Sequence, residues 1–136
     1  MRKHRLMILL LSAATIILEA LPFGAVCNFA GPDGAVRKTY AYFSLIPFGY
    51  ANFGPFITAV LSVLLLIPAI ISFFTSSAKV RTASSLLAAA GVVFSLLPLM
   101  FGIHYFSAVG AAISALLLAQ LIITVQGKER EIHEAK

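Results

Sequence analysis

Three polar side chains that could do chemistry lie within or beside long apolar segments of this chain. Glu19 falls in the first segment, Gln120 in the last, and His104 in a short turn between two segments. A carboxylate in the centre of a bilayer costs on the order of 2.5–3.5 kcal/mol, so such a group is expected to face protein or water, or to be paired. We favour an ion pair of Glu19 near the outer surface. A proton- or cation-responsive Glu19, with His104 and Gln120 nearby, is the functional alternative.

The basic residues that could pair with Glu19 on the outer side are few. Arg37 and Lys38 are the only Lys or Arg residues between the first and second apolar segments. His104 lies where the third segment emerges, and its imidazole could titrate near neutral pH. We therefore expect Glu19 to pair with Arg37, Lys38 or His104.

The sequence offers little that points to an enzyme. It contains no Gly-x-x-x-x-Gly-Lys, Gly-x-Ser-x-Gly, His-Glu-x-x-His or Gly-x-Gly-x-x-Gly motif. Cys27 is the only cysteine, which excludes a zinc cluster built from thiols of one chain. His4 and His133 are expected on the side of the membrane opposite to His104, so no two-histidine metal site is expected. The sequence predicts no catalytic residues, no metal and no cofactor.

The apolar segments themselves define the fold class. The chain is 60% hydrophobic and 11% charged, whereas about 25% of the residues of soluble proteins are charged. Each segment is close to the ~20 residues that an α-helix needs to cross roughly 30 Å of hydrocarbon. The sequence predicts an all-α integral membrane four-helix bundle, one domain over 1–136, with a polar tail over 127–136. The predicted helices cover residues 6–21, 55–74, 83–100 and 106–125.

The positions of the basic residues predict the orientation. Of the ten Lys and Arg residues, all but Arg37 and Lys38 lie before the first helix, between the second and third, or after the fourth. The positive-inside rule then places both termini in the cytoplasm of a bacterial-type cell membrane. The net charge of +5 is explained by this orientation, and no nucleic-acid partner is expected. The basic start of the chain also resembles a signal peptide, but Glu19 interrupts the region of cleavage, so an uncleaved anchor is expected.

The longer first outer loop, residues 22–54, combines a turn with an aromatic stretch. Residues 31–34, Gly-Pro-Asp-Gly, predict a tight turn. A short interfacial helix or re-entrant turn is expected over 40–46. Pro55 is expected in the first turn of the second helix, and Pro68 is expected to kink it. Aromatic residues expected at the membrane interface are Tyr40, Tyr42, Phe43, Phe48, Tyr50 and Phe53.

Small residues recur on the third and fourth helices at the spacing of one helical turn. Such faces let helix backbones approach closely in lipid, where dispersion contacts drive association. The expected packing face consists of Ser84, Ala88, Gly91, Ser107, Gly110, Ala111 and Ser114.

Two functional hypotheses follow from these features. The first is a non-enzymatic membrane protein that acts through helix association, as a homo-oligomer or as an accessory subunit of another membrane protein, with lipids as its surroundings. The alternative is a small transporter or channel subunit whose path is lined by Glu19.

Overall fold

The computed structural model describes residues 2–45 and 50–136, and describes the side chains of all of these except residues 50–52. Phe48, and the side chain of Tyr50, were predicted to be interfacial and lie outside this description. The described residues form four α-helices and one β-hairpin. They are α1 (Arg2–Ala20), β1 (Ala25–Gly31), β2 (Gly34–Tyr40), α2 (Tyr50–Phe74), α3 (Ala78–Ser95) and α4 (Ala108–Glu134), with two 3-10 turns, Leu97–Phe101 and Ile103–Tyr105, before α4.

The four helices form a ring. Helix α1 packs against α2 and α4, and α3 packs against the same two helices from the other side. One end of the bundle, here called the basal end, holds residues 2–8, 72–84 and 123–134. The opposite end holds β1, β2 and the 3-10 turns and is called the hairpin end.

The side chains are distributed in the reverse of a soluble bundle. Most buried positions on the helices hold small or polar residues, such as Ser12 and Thr15 on α1, and Thr58 and Ser62 on α2. Large aliphatic side chains point outward instead, and Ile17 is 63% exposed. This pattern suits a bundle surrounded by lipid, because lipid rather than the protein interior then buries the aliphatic surface.

Three helices are long and apolar enough to cross a membrane among the described residues. They are Phe53–Phe74, Ala78–Phe101 with its 3-10 extension, and Ala108–Glu134. The sequence predicts four spans. Helix α1 falls short of this criterion because its 19 residues carry Arg2, Lys3, Arg5 and Glu19.

The β-hairpin corrects the all-α prediction. Strands β1 and β2 pair antiparallel, from Ala25 opposite Tyr40 to Gly31 opposite Gly34. The predicted turn at 31–34 is confirmed: Pro32 and Asp33 connect the strands, and Gly34 has a φ of +122°, a conformation that favours glycine. The β-branched and aromatic residues that flank this turn favour strands.

Of the two alternatives expected over 40–46, a short helix or a re-entrant turn, the helix does not form in the described part, residues 40–45. Tyr40 ends β2, and residues 41–45 form a turn and irregular chain. The position of Tyr42 explains this, because its backbone N–H donates to the carbonyl of Glu19 at 2.9 Å and draws the chain back over the end of α1.

Several helix bounds also differ from prediction. Helix α1 begins four residues early, at Arg2, and α2 begins at Tyr50, so Pro55 lies beyond its first turn. Helix α3 ends at Ser95, shortly before Pro98, which lies in a 3-10 turn, and α4 starts at Ala108.

The predicted tail at 127–136 is a continuation of α4 as far as Glu134. Gly127 lies within this helix. Beyond it, Glu131 forms an ion pair with Arg81 of α3, and Arg130 contacts His4 of α1 at 3.1 Å. These side-chain contacts hold the last turns of α4 against the bundle.

Candidate functional site

Glu19 lies in the interior of the bundle. Its side chain is fully buried, and the Ser62 hydroxyl donates to its Oε1 at 2.7 Å. Ser62 is at the midpoint of α2, so the carboxyl reaches mid-depth of that helix. Its other oxygen, Oε2, is buried and has no hydrogen-bond partner among the described residues. The Oε2 atom of Glu19 is therefore still available to accept a hydrogen bond from another group.

The expected ion pairs of Glu19 are not formed in the described chain. Arg37 and Lys38 are exposed on β2, and His104 is exposed in the second 3-10 turn. The prediction placed Glu19 near the outer surface. Because the chain after α1 folds back over the end of that helix, where the Tyr42 N–H donates to the Glu19 carbonyl, Glu19 is covered by protein instead.

Tyr42 closes the hairpin end above Glu19. It is 1% exposed, although an interfacial position was expected. Its ring packs against Gly24, where an added Cβ would lie 2.7 Å from a ring carbon, and its hydroxyl lies beside Gly110. Burial, and to a smaller extent the nearby Glu19, raise the pKa of Tyr42 above its ordinary range. The hydroxyl thus stays protonated at neutral pH.

The other expected interfacial aromatics are less buried than Tyr42. Phe43 and Phe53 are exposed, and Tyr40 is half-buried. Of the aromatic residues expected at the membrane interface, these three are therefore wholly or partly at the surface of the described structure.

Ser107 fastens the start of α4 to the hairpin end. Its oxygen accepts from the Gly110 backbone N–H at 2.8 Å, which is an N-cap, and its hydroxyl donates to the Gly24 carbonyl at 2.6 Å. One side chain thus satisfies a helix end and the segment that leads into β1.

Gln120 forms a second polar contact in the interior. It is fully buried, and its amide nitrogen donates to the Ser12 hydroxyl at 2.7 Å, which joins α4 to α1. Its Oε1 is buried without a hydrogen-bond partner in residues 2–45 and 50–136. The structure places Gln120 and Glu19 on facing interior surfaces of α4 and α1, about two helical turns apart along α1, and leaves His104 outside.

A cavity of about 150 Å³ opens at the basal end, and sequence reasoning missed it. Residues from all four helices line it, including Arg5, Arg81 and Arg130. On α1, the lining residues Arg5 and Ile8 continue into the buried residues Ser12, Thr15 and Glu19. The alternating spacing of three and four residues puts all five on one helix face. This spacing is the sequence signal that could have indicated a polar interior face.

The predicted small-residue face packs inside the chain. Gly91 lies against Leu117, and the Ser114 hydroxyl is 2.8 Å from that of Ser95. Only Ala111 among the predicted packing residues is exposed. The buried ones are Ser84, Ala88, Gly91, Ser107, Gly110 and Ser114.

The described residues bring together no group of three or more His, Cys, Asp or Glu side chains that could hold a metal ion. Comparison with known proteins finds no family model, no curated protein and no solved structure that matches this chain.

Proposed function

We propose that this protein is a small membrane transporter or channel subunit that moves protons or small cations, with Glu19 as the carrier group. The observation that carries the proposal concerns the buried carboxyl of Glu19. Its Oε1 accepts a hydrogen bond from Ser62, whereas its Oε2 has no hydrogen-bond partner among the described residues. A buried acceptor left without a donor costs about 1–3 kcal/mol. A proton, a water molecule or a cation bound at Oε2 would remove that cost.

The polar groups near Glu19 suggest a route from the basal end. The cavity-lining residues Ile8 and Thr124 each lie one helical turn from the Ser12–Gln120 contact. From Ser12, Glu19 is about 10 Å further along α1. Gln120 Oε1, the second unfilled acceptor, lies between the cavity and Glu19 in this order. Water entering the cavity would therefore meet acceptors at successive depths, as a conduction path requires.

In this proposal each side chain has a physical role. Ser62 orients the carboxyl by donating to one oxygen, and Glu19 binds and releases the ion. Tyr42, which is buried at the hairpin end, would close the path on that side. No covalent bond is made or broken, and the function is non-enzymatic.

Ion flux in reconstituted vesicles tests the proposal. Purified protein in liposomes containing a pH-sensitive dye is subjected to a potassium diffusion potential, and proton entry is recorded. We expect Glu19→Gln to abolish flux and Ser62→Ala to reduce it, because the first removes the titratable group and the second its orientation. Glu129→Gln changes an exposed carboxylate on α4 and should leave flux unchanged.

Parallel sodium and potassium flux measurements distinguish a proton from a metal cation. Flux of wild-type protein no higher than that of protein-free liposomes for all three ions would contradict the proposal. Equal flux in wild-type and Glu19→Gln vesicles would contradict the role of Glu19.

A second candidate function is lateral association, as a homo-oligomer or accessory subunit. The observation that favours it is the outward face of α4, where Ala108, Ala111, Ala112 and Ala115 are all exposed. Pairs four residues apart on this face would let another membrane helix approach closely. The proposed interface therefore keeps Ala111 but replaces the other predicted residues, which are occupied inside the bundle.

Energy transfer between labelled copies in bilayers tests this second candidate. Ala111→Leu and Ala112→Leu should weaken association, because leucine separates the helix backbones. Leu86→Ala, an exposed site on α3, serves as the control. Gly110→Leu is unsuitable, since Gly110 packs against Tyr42 within one chain. Association unaffected by both α4 substitutions would remove this interface.

We further propose a bacterial-type cell-membrane location with both termini in the cytoplasm. Its support is that residues 2–8, 72–84 and 123–134 meet at the basal end and contain Arg2, Lys3, Arg5, Lys79, Arg81, Lys128 and Arg130. Concentration of positive charge at one end is the feature that keeps that end in the cytoplasm.

A further inference from the structure

We infer that the basal cavity binds an oxyanion of the phosphate class. This inference does not rest on ion transport through Glu19. The cavity lies between all four helices, and its volume of about 150 Å³ is roughly ten times the 10–15 Å³ that one water requires. It has room for a phosphate group with several water molecules.

The cavity lining holds more arginine than glutamate side chains. Arg5, Arg81 and Arg130 come from three different helices, and they exceed the two carboxylates in the lining, Glu131 and Glu134. Glu131 is already committed to Arg81. Guanidinium groups are the donors that proteins use for phosphate, because their fork of N–H groups matches two oxygens, and three of them line this one cavity.

The present contacts leave the guanidinium groups incompletely neutralised. Arg5 donates to the Ser76 hydroxyl at 2.7 Å, and Arg130 contacts the His4 ring at 3.1 Å, so neither of these two contacts is made to a carboxylate. Arg81 has one carboxylate partner, and its Nε is buried without a hydrogen-bond partner in the described chain. An anion in the cavity would provide the missing negative charge.

Hydroxyl groups supply further donors on the same side. Ser76 accepts from Arg5, which leaves its own O–H available to a ligand. Ser77 lines the cavity as the N-cap residue of α3, yet its side chain makes no capping hydrogen bond. The first-turn amides of α3 therefore lack this acceptor, and an anion beside them would be favoured by the helix dipole.

Two ligand sources share this chemistry, namely free phosphate and the headgroup of an acidic phospholipid. We would place the protein in phosphatidylcholine nanodiscs and titrate inorganic phosphate by calorimetry. In a second arm, nanodiscs containing phosphatidic acid are analysed by native mass spectrometry for retained lipid. Binding in the first arm alone assigns a soluble anion, and binding in the second alone assigns a lipid headgroup. Binding in both supports a site open to either.

Matched variants connect binding to the cavity. Arg5→Gln should weaken binding about tenfold, which corresponds to loss of one charge-assisted hydrogen bond. Arg5→Lys should retain most of the affinity, and Lys128→Gln, an exposed cation on α4 outside the lining, should bind as the wild type does. Circular dichroism confirms that each variant is helical.

Arg130→Gln provides a second test on a different helix, in case Arg5→Gln does not fold. The inference is overturned if neither probe binds the wild-type protein. It is also overturned if the folded arginine variants bind as tightly as Lys128→Gln.

Discussion

At the scale of single residues, parts of the interior are packed so closely that an added side-chain atom would overlap a neighbour. Gly24 and Gly110 both lie against Tyr42: its ring occupies the space that a Cβ at Gly24 would need, and its hydroxyl would lie only 3.0 Å from a Cβ at Gly110. Tyr42 in turn covers the end of α1, where Glu19 is buried. The seal above the proposed ion site thus depends on two glycines that carry no chemistry of their own.

A pair of glycine substitutions tests this dependence. Gly24→Ala should lower the free energy of unfolding by about 1–3 kcal/mol, since its Cβ would overlap the buried ring of Tyr42. Gly127→Ala should raise it by up to about 1 kcal/mol, because Gly127 lies in α4 with open space around it and alanine favours the helix. Denaturant unfolding in detergent micelles measures both. A Gly24→Ala protein as stable as the wild type would contradict the described packing of Tyr42.

At the scale of secondary-structure elements, the starts of α3 and α4 differ in the side-chain hydrogen bonds that hold them. The start of α4 is capped and tied to the hairpin end by Ser107. The start of α3 has Ser77 at the equivalent position without a side-chain cap. The two serines look alike in the sequence, since each precedes a helix by one residue.

Alanine substitutions distinguish the two helix starts. Ser107→Ala should destabilise the protein by about 1–2 kcal/mol, through loss of the cap and of the bond to Gly24. Ser77→Ala should change the unfolding free energy by less than about 0.5 kcal/mol, as is usual for a side chain without such partners. Thermal unfolding of both variants under identical conditions gives the comparison. Equal losses would contradict the assignment of the caps.

The helix and hairpin predictions differ in accuracy for physical reasons. Helices α1 to α4 were predicted because a long run of apolar residues is recognisable without knowledge of neighbours. The turn at 31–34 was predicted from its Pro, Asp and Gly residues. The pairing of β1 with β2 was missed because half of the hairpin is exposed and its strands lack a regular alternation of polar and apolar residues. The extension of α4 past Gly127 was missed because contacts with Arg81 and His4 stabilise it.

At the scale of the whole molecule, the basal and hairpin ends carry different chemistry. The basal end has most of the cations and a cavity lined by three arginines, whereas the hairpin end is closed by Tyr42 and the base of β1. The two ends therefore differ, and the proposed transport depends on which end faces the cytoplasm. Its orientation in the membrane is therefore the global property to measure.

Cysteine labelling of intact cells measures that orientation. A membrane-impermeant maleimide should label Asp33→Cys, at the tip of the hairpin, without permeabilisation. Ala135→Cys, after the end of α4, should be labelled only in permeabilised cells. Cys27 gives a low background because it is buried, and burial raises the pKa of its thiol, which lowers the reactive thiolate fraction at neutral pH. Labelling of Ala135→Cys in intact cells would reverse the proposed orientation.

The sequence by itself determined the helical class, the number of helices and the candidate residues Glu19 and Gln120. The length of each apolar segment and the rarity of polar residues within it are local properties of the chain, so both can be recognised in the sequence alone. Only the tertiary structure decided the partners: Ser62 rather than Arg37 or Lys38 beside Glu19, Ser12 beside Gln120, and three arginines around one cavity. Those pairings join residues from different helices, and helix depth and rotation, which set them, depend on how all four helices pack together.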